Sequence, residues 1–231
     1  MINKVEAHIL RAFVNKEGKY GNPTGIVLDV HKILSSTQRQ KIATQLHFTD
    51  TVFINNLNDV DVSFYNPQQE TRFAGDALIS TSYFLKHKLE KKIDVIRCKV
   101  GEVSTWTEGE LIWIESSITG TAAWIHKQVK SVAEVNSITP EEAAQIEHTM
   151  VWAWEDESKG LIRSRTFLPD WGTLEDQGNG SGAMQLAKML GRSIEINQGY
   201  GSIIFAQPSI NTNAKVGGRV QIDTSKIIIL E

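Results

Sequence analysis

The chain has one cysteine, Cys98, in 231 residues. A lone cysteine excludes an internal disulfide and gives no basis for a cysteine-built zinc site. Histidine is sparse as well. His8, His31, His47, His87, His126 and His148 are scattered, with no two at the i, i+4 spacing that would set both on one helical face, so no metal is expected. There is no apolar run near the roughly 20 residues of a membrane-spanning helix. The opening stretch MINKVEAHILRAF lacks the apolar region and small-residue cleavage site of a secretory leader. Positive charge is not in excess either: 24 Lys and Arg face 27 Asp and Glu, a formal net charge of −3. Neither nucleic acid nor an anionic membrane is therefore an expected partner. The glycine-bearing segments GDALIS and GNGSGA match neither a Walker A loop nor a dinucleotide fingerprint, so no nucleotide cofactor is expected. With 41% hydrophobic and 22% charged residues, what remains is an ordinary globular chain, expected in the cytoplasm.

The apolar pattern changes period along the chain in a repeating order. Alternation over Val5–Val14 and the apolar Ile26–Leu28 predict two strands joined by the turn-rich GKYGNPTG. Ser36 is placed to cap a helix running to about Leu46. Strands near Thr51–Ile54 and Val60–Tyr65 follow, then an apolar helix over Asp76–Leu85. Strands over Ile93–Val100, Glu102–Trp106 and Leu111–Glu115 close this half, the last two joined at Glu108-Gly109. The second half begins with the capping box Thr139-Pro140-Glu141-Glu142. It continues with strands near Thr149–Ala153 and Leu161–Phe167, a helix over Ala183–Leu190, and strands over Ser193–Asn197, Ser202–Ala206, Lys215–Ile222 and Lys226–Leu230. VSFYNPQQETRFAGDALISTSYFL and SRTFLPDWGTLEDQGNGSGAMQLAKML share one plan: strand, proline, polar loop, small-residue turn, helix. Such an internal repeat implies duplicated lobes, 1–118 and 119–231, with a cleft between them.

The two glycine-bearing turns are the natural place for chemistry. A helix start leaves backbone N–H groups unpaired and carries about half a positive charge. Gly75, Gly180 and Gly182 would let a ligand come close to that backbone. The guest this favours is a small carboxylate. Read blandly, Asp76 and Ser181 are helix caps and the glycines only make tight turns.

Four segments in order, RAFVNKEGKYGNPTGIVLD, QKIATQLHFTDTVFI, FYNPQQETRFAGDALIS and SRTFLPDWGTLEDQGNGSGA, resemble the phenazine-biosynthesis PhzF-like family over nearly the whole chain. That resemblance implies an α+β fold of the diaminopimelate epimerase-like type. Each of its two pseudo-symmetric lobes would be a β-barrel-like sheet around a central helix, and the two helix starts would face each other. It also implies a homodimer and a proton-transfer carboxylate between a helix and a strand. Here Asp50 occupies that position, on a stem one methylene shorter than the family's glutamate. Asp76 replaces the family's histidine after Gly75. A carboxylate there donates no hydrogen bond unless its pKa is raised. Asp176 and Ser181 keep the spacing of the family's ED-x-x-x-GS motif. The candidate catalytic residues are thus Asp50, Asp76 and Asp176. Asn22, Gly75, Ala77, Gly180, Ser181 and Gly182 are the candidate substrate contacts, with Asn22 ordering the loop before Pro23, either as a purely structural turn or at the cleft edge, and the N–H groups of Gly182 and Ala183 on a carboxylate.

The function these features imply is a cofactor-independent isomerase that shifts a proton on a small carboxylated metabolite. The alternative is an inactive carboxylate-binding protein of the same fold, suggested by the changes at Asp50 and Asp76 and by a second half that looks short for the family. A structural or partner-binding role would depend on exposure of Trp152, Trp154 and Trp171. Neither glycine turn contains cysteine, and Cys98 is expected on a strand, so the two-cysteine racemisation found in this fold is not expected.

Overall fold

The computed structural model describes residues 4–230. The first repeat begins with β1 (Lys4–Val14), β2 (Asn22–Leu28), α1 (Ser36–Leu46), β3 (Asp50–Asn56), β4 (Asp61–Tyr65) and β5 (Glu70–Thr71). It ends with α2 (Gly75–His87), β6 (Val95–Cys98), β7 (Gly101–Glu108) and β8 (Leu111–Ser117). The second repeat contains β9 (Ile125–Gln128), α3 (Val132–Ser137), α4 (Pro140–Ala143), β10 (Thr149–Asp156), β11 (Leu161–Leu168) and β12 (Thr173–Asp176). After these come α5 (Gly180–Leu190), β13 (Ile194–Gln198), β14 (Ser202–Pro208), β15 (Asn213–Ile222) and β16 (Lys226–Ile229).

The pairings show the duplication directly. β2 lies parallel to β3, β3 antiparallel to β4, and β4 parallel to β6, with β7 and β8 following as antiparallel neighbours. In the second repeat β9 lies parallel to β10, β10 antiparallel to β11, and β11 parallel to β13, with β14 and β15 antiparallel after them. The short strands match too, β5 on β4 and β12 on β11. In each repeat the central helix follows the short strand. The fold is mixed α+β of the diaminopimelate epimerase-like kind.

The repeats differ in closure. β15 pairs with β8 through residues 213–218 and with β1 through residues 219–222, which closes β1, β2, β3, β4, β6, β7, β8 and β15 into a barrel. The second sheet ends at β9 and stays open. Closure explains the two central helices. Inside the barrel, α2 is buried on all sides over its first three turns, from Gly75 to Leu85 with Tyr83 alone half-buried. The open sheet leaves α5 one wet side, where Met189 is exposed and Gln185 and Lys188 are half-buried. A helix needs apolar residues only where something covers it.

One core runs through both repeats, joining Leu78, Ile79 and Phe84 to Met150, Trp152, Met184 and Ile196. Each fully buried side chain of this size contributes about 1.5–3 kcal/mol. A second cluster places α1 on the outside of the barrel, with Ile42 and Leu46 against Ile9, Val27, Phe53 and Ile228. The α1 cap is Ser35, one residue earlier than expected, because Gln38 reaches back to the Ser35 amide and completes a capping box. Arg39 then makes a buried ion pair with Asp29 beyond the end of β2, its Nε and Nη2 both donating to Asp29 Oδ2. Together these fix the helix that delivers the chain to Asp50. Among the described residues, no helix is long and apolar enough to cross a membrane.

Candidate active site

α1 ends at His47, which adopts the left-handed conformation with φ 54° and turns the chain into β3. Asp50 is the first residue of β3, level with Thr24 of β2 in the parallel ladder. Asp76 is the second residue of α2, and Asp176 ends β12, four residues before α5 begins. All three carboxylates line one cavity and are buried, at 8%, 3% and 3% exposure.

Asn22 ties two of them together. Its side-chain amide donates to Asp76 Oδ2 at 2.9 Å and to Asp176 Oδ1 at 3.0 Å, and its carbonyl oxygen accepts from Thr49 Oγ1 at 3.4 Å. Asp176 Oδ1 also accepts from the Gly178 amide at 2.9 Å, and Oδ2 accepts from Asn179 Nδ2 at 2.9 Å. Three donors leave Asp176 about one free acceptor site of roughly four. The backbone amides of Asp76 and Ala77 lie beside the Asp76 carboxyl and favour its charged form. Asp50 touches Asp76 side chain to side chain.

Burial and mutual repulsion set the titration of this group. Burial pushes the Asp50 carboxyl well above its ordinary 3.8, and the charges of Asp76 and Asp176 add to the effect. Burial, with repulsion from Asp176, raises Asp76 to about 7 against the pull of its amide donors and Asn22. Asp176 rises to about 6, also through burial, its three hydrogen-bond donors holding it lower than Asp76. Near neutral pH the touching pair Asp50 and Asp76 therefore retains a proton.

The two helix starts meet at this cavity. A Cβ on Gly75 would fall 3.1 Å from Gly180 Cα, so two positively polarised ends abut with only carboxylates to offset them. Asn179 caps α5 by accepting from the Gly182 amide, and its carbonyl accepts from Ala183. The expectation that the Gly182 and Ala183 amides are open to a ligand is thereby corrected: the cap engages both. The first-turn amides of Gly180 and Ser181 remain for a ligand. Around the opening stand Phe73, Trp124 and Trp171, and Trp124 Nε1 donates to Ser181 Oγ at 2.8 Å. The enclosed space is about 30 Å³, room for a water molecule or two.

Of the sequence-predicted residues, Asp50, Gly75, Asp76, Asp176, Gly180 and Ser181 form the cavity wall. Asn22, Ala77 and Gly182 lie behind it. Asn22 is buried beneath the carboxylates and not at the cleft edge. Neither Asp76 nor Ser181 caps its helix: the caps are Ala74, without a side-chain bond, and Asn179. Sequence reasoning missed Trp124, whose partners His148 and Trp171 come from distant segments, and it missed Asn179, although an Asn before Gly-Ser at a helix start is a recognisable cap. Trp152 is core, and Trp154 is half-buried against it and under Arg192. Cys98 sits on β6, where burial raises its thiol pKa, and it is not part of the cavity wall.

Fold and site together define a duplicated diaminopimelate epimerase-like protein with an acidic cleft at two abutting helix starts. The particular likeness is to the PhzF-like family: the model of the family described as phenazine biosynthesis-like protein matches residues 10–117. The chain is 27% identical, over 216 aligned residues, to the trans-2,3-dihydro-3-hydroxyanthranilate isomerase of Pseudomonas chlororaphis, covering 78% of this chain and 77% of that protein. In structure it is similar to a PhzF-family protein of Enterococcus faecalis, with a TM-score of 0.77, 16% identity and coverage of 98% and 100% of the two chains. A hydroxyproline epimerase of Agrobacterium vitis shares the fold at a TM-score of 0.65 and 10% identity, covering 99% and 93%.

Proposed function

We propose that the protein is a cofactor-independent isomerase that shifts a proton on a small carboxylated metabolite, with Asp50 and Asp76 as a proton-sharing pair. The supporting observation is the contact between these two buried carboxyls at the helix starts. In its ionised form Asp50 takes a proton from a substrate carbon. The electron pair left behind spreads into an enolate-like system, whose oxygen the first-turn amides of Gly180 and Ser181 stabilise. The resting pair shares one proton; with it on Asp76, ionised Asp50 is the base, and Asp76 returns its proton to a different carbon before the proton on Asp50 passes to Asp76. Charge and protons balance over the cycle. Asp76 in the acid form also supplies the hydrogen-bond donor that an ionised aspartate would lack. Asp176 and Asn22 hold the pair in register.

An inactive binding protein would gain nothing from three buried carboxylates, which cost stability near neutral pH, and this weighs against that alternative. The test is deuterium uptake from heavy water by a panel of small carboxylic acids, followed by mass spectrometry. Wild type should label a substrate, while Asp50→Asn should bind it and label it at least about a hundredfold more slowly. Unchanged labelling by Asp50→Asn would sink the mechanism.

A further inference from the structure

Beside the carboxylate cavity lies a second hollow of about 230 Å³, and Phe73, Ala122 and Trp171 form the partition the two share. The inner space admits only a water or two, and the outer hollow is neighbouring space into which a larger metabolite can extend. The outer wall includes Glu70, Thr71 and Arg72, the residues that lead from β5 into the α2 turn.

Arg72 differs from every other arginine in the chain. Arg11 pairs with Asp223, Arg39 with Asp29, Arg97 with Glu102, Arg165 with Glu175 and Arg219 with Glu110. Arg163 and Arg192 donate to backbone carbonyls. Arg72 alone has no hydrogen-bond or ion-pair partner among the described residues. The nearby acid does not neutralise it, because Glu70 is bound to Lys99 at 2.7 Å. The outer hollow therefore combines an uncommitted guanidinium and the Trp171 ring. The inner cavity already presents three carboxyls, which disfavours a further permanently charged carboxylate there.

We infer that Arg72 is the group that reads the substrate's carboxylate, holding it in the outer hollow while the carbon that loses its proton enters between Asp50 and Asp76. The inference rests on the proposed isomerase reading and sharpens it. The substrate would be a molecule with its acid group at one end and an uncharged, activated carbon at the other, lying across the Phe73–Trp171 partition. Arginine suits this task because its planar fork matches a carboxylate in two parallel hydrogen bonds.

The test uses matched acids and amides as probes, glutarate with glutaramate and benzoate with benzamide. Binding is followed by ¹H–¹⁵N NMR at the Trp171 indole and the Arg72 Nε–H. In wild type the acids should bind at least about tenfold tighter than the amides, the factor a charge-assisted hydrogen bond carries. That preference should vanish in Arg72→Gln and return in part in Arg72→Lys, with the thermal midpoint unchanged because Arg72 is exposed. An acid preference equal in wild type and Arg72→Gln, or an unmoved Trp171 signal, would overturn the subsite. Heavy-water exchange separates this inference from the mechanism. An Arg72-dependent acid preference without exchange supports the subsite and rejects the isomerase. Exchange whose KM and kcat are untouched in Arg72→Gln supports the isomerase and rejects the subsite.

Discussion

Gly180 lies so close to Gly75 that a Cβ built on it would sit 3.0 Å from the other glycine's Cα. Contact of this kind between two helix starts leaves no room for a methyl group. Gly75→Ala and Gly180→Ala should each force α2 and α5 apart at the cavity and cost about 1–3 kcal/mol. Chemical denaturation should show the loss as a lower midpoint at unchanged slope. Isomerase turnover should fall by more than the stability change accounts for, since the same displacement separates Asp76 from Asp176.

Asn22 gives the second prediction. Its amide is the donor common to Asp76 and Asp176, and its hydrogen bond lowers the Asp76 pKa. In Asn22→Ala both carboxyls lose a donor, so their pKa values should rise further. The acid limb of the pH–rate profile should move to higher pH, and stability should drop by about 1–3 kcal/mol. A profile identical to wild type would remove Asn22 from the proton-sharing group.

The third prediction concerns pH and stability. Asp76 and Asp176 are raised from 3.8 to about 7 and about 6 in the folded protein. Between pH 4 and 7 the folded state thus binds more protons than the unfolded chain, and stability falls as pH rises through that window. For Asp76 alone the displacement corresponds to about 4 kcal/mol. Asp76→Asn should therefore be more stable than wild type at pH 8, with the two converging near pH 4. Thermal midpoints across that range would check it, and a wild type most stable at pH 8 would contradict it.

Much of this architecture was legible in the sequence because it was written twice. The strand, proline, loop and helix order in each half marks α2 and α5, and the apolar alternation of Val5–Val14 marks β1. The elements that escaped are those whose stability comes from neighbours. β9, with residues Ile125–Gln128, is largely exposed and forms no alternating pattern, yet it pairs with β10 through four residues. β5 and β12 are only two and four residues long, too short for any period to register. At the site, Asp50, Asp76 and Asp176 were identifiable from their motifs. The role of Asn22 was not, because its bond to Asp176 spans 154 positions of chain. No local pattern records such a bond. The free state of Arg72 was equally invisible, since it follows from where every other arginine finds a partner.

β15 has one further consequence. Its first six residues lie between β8 and β14, and its last four complete the barrel against β1, while β16 lies along the first residues of the same β1. The first half of the chain thus lacks a stave until the second half has been made. During synthesis α2 would wait in an unclosed trough, with its apolar surface uncovered, until the ribosome has released nearly the whole polypeptide. Duplication produced two similar halves, but their interlocking means that neither half can mature ahead of the other.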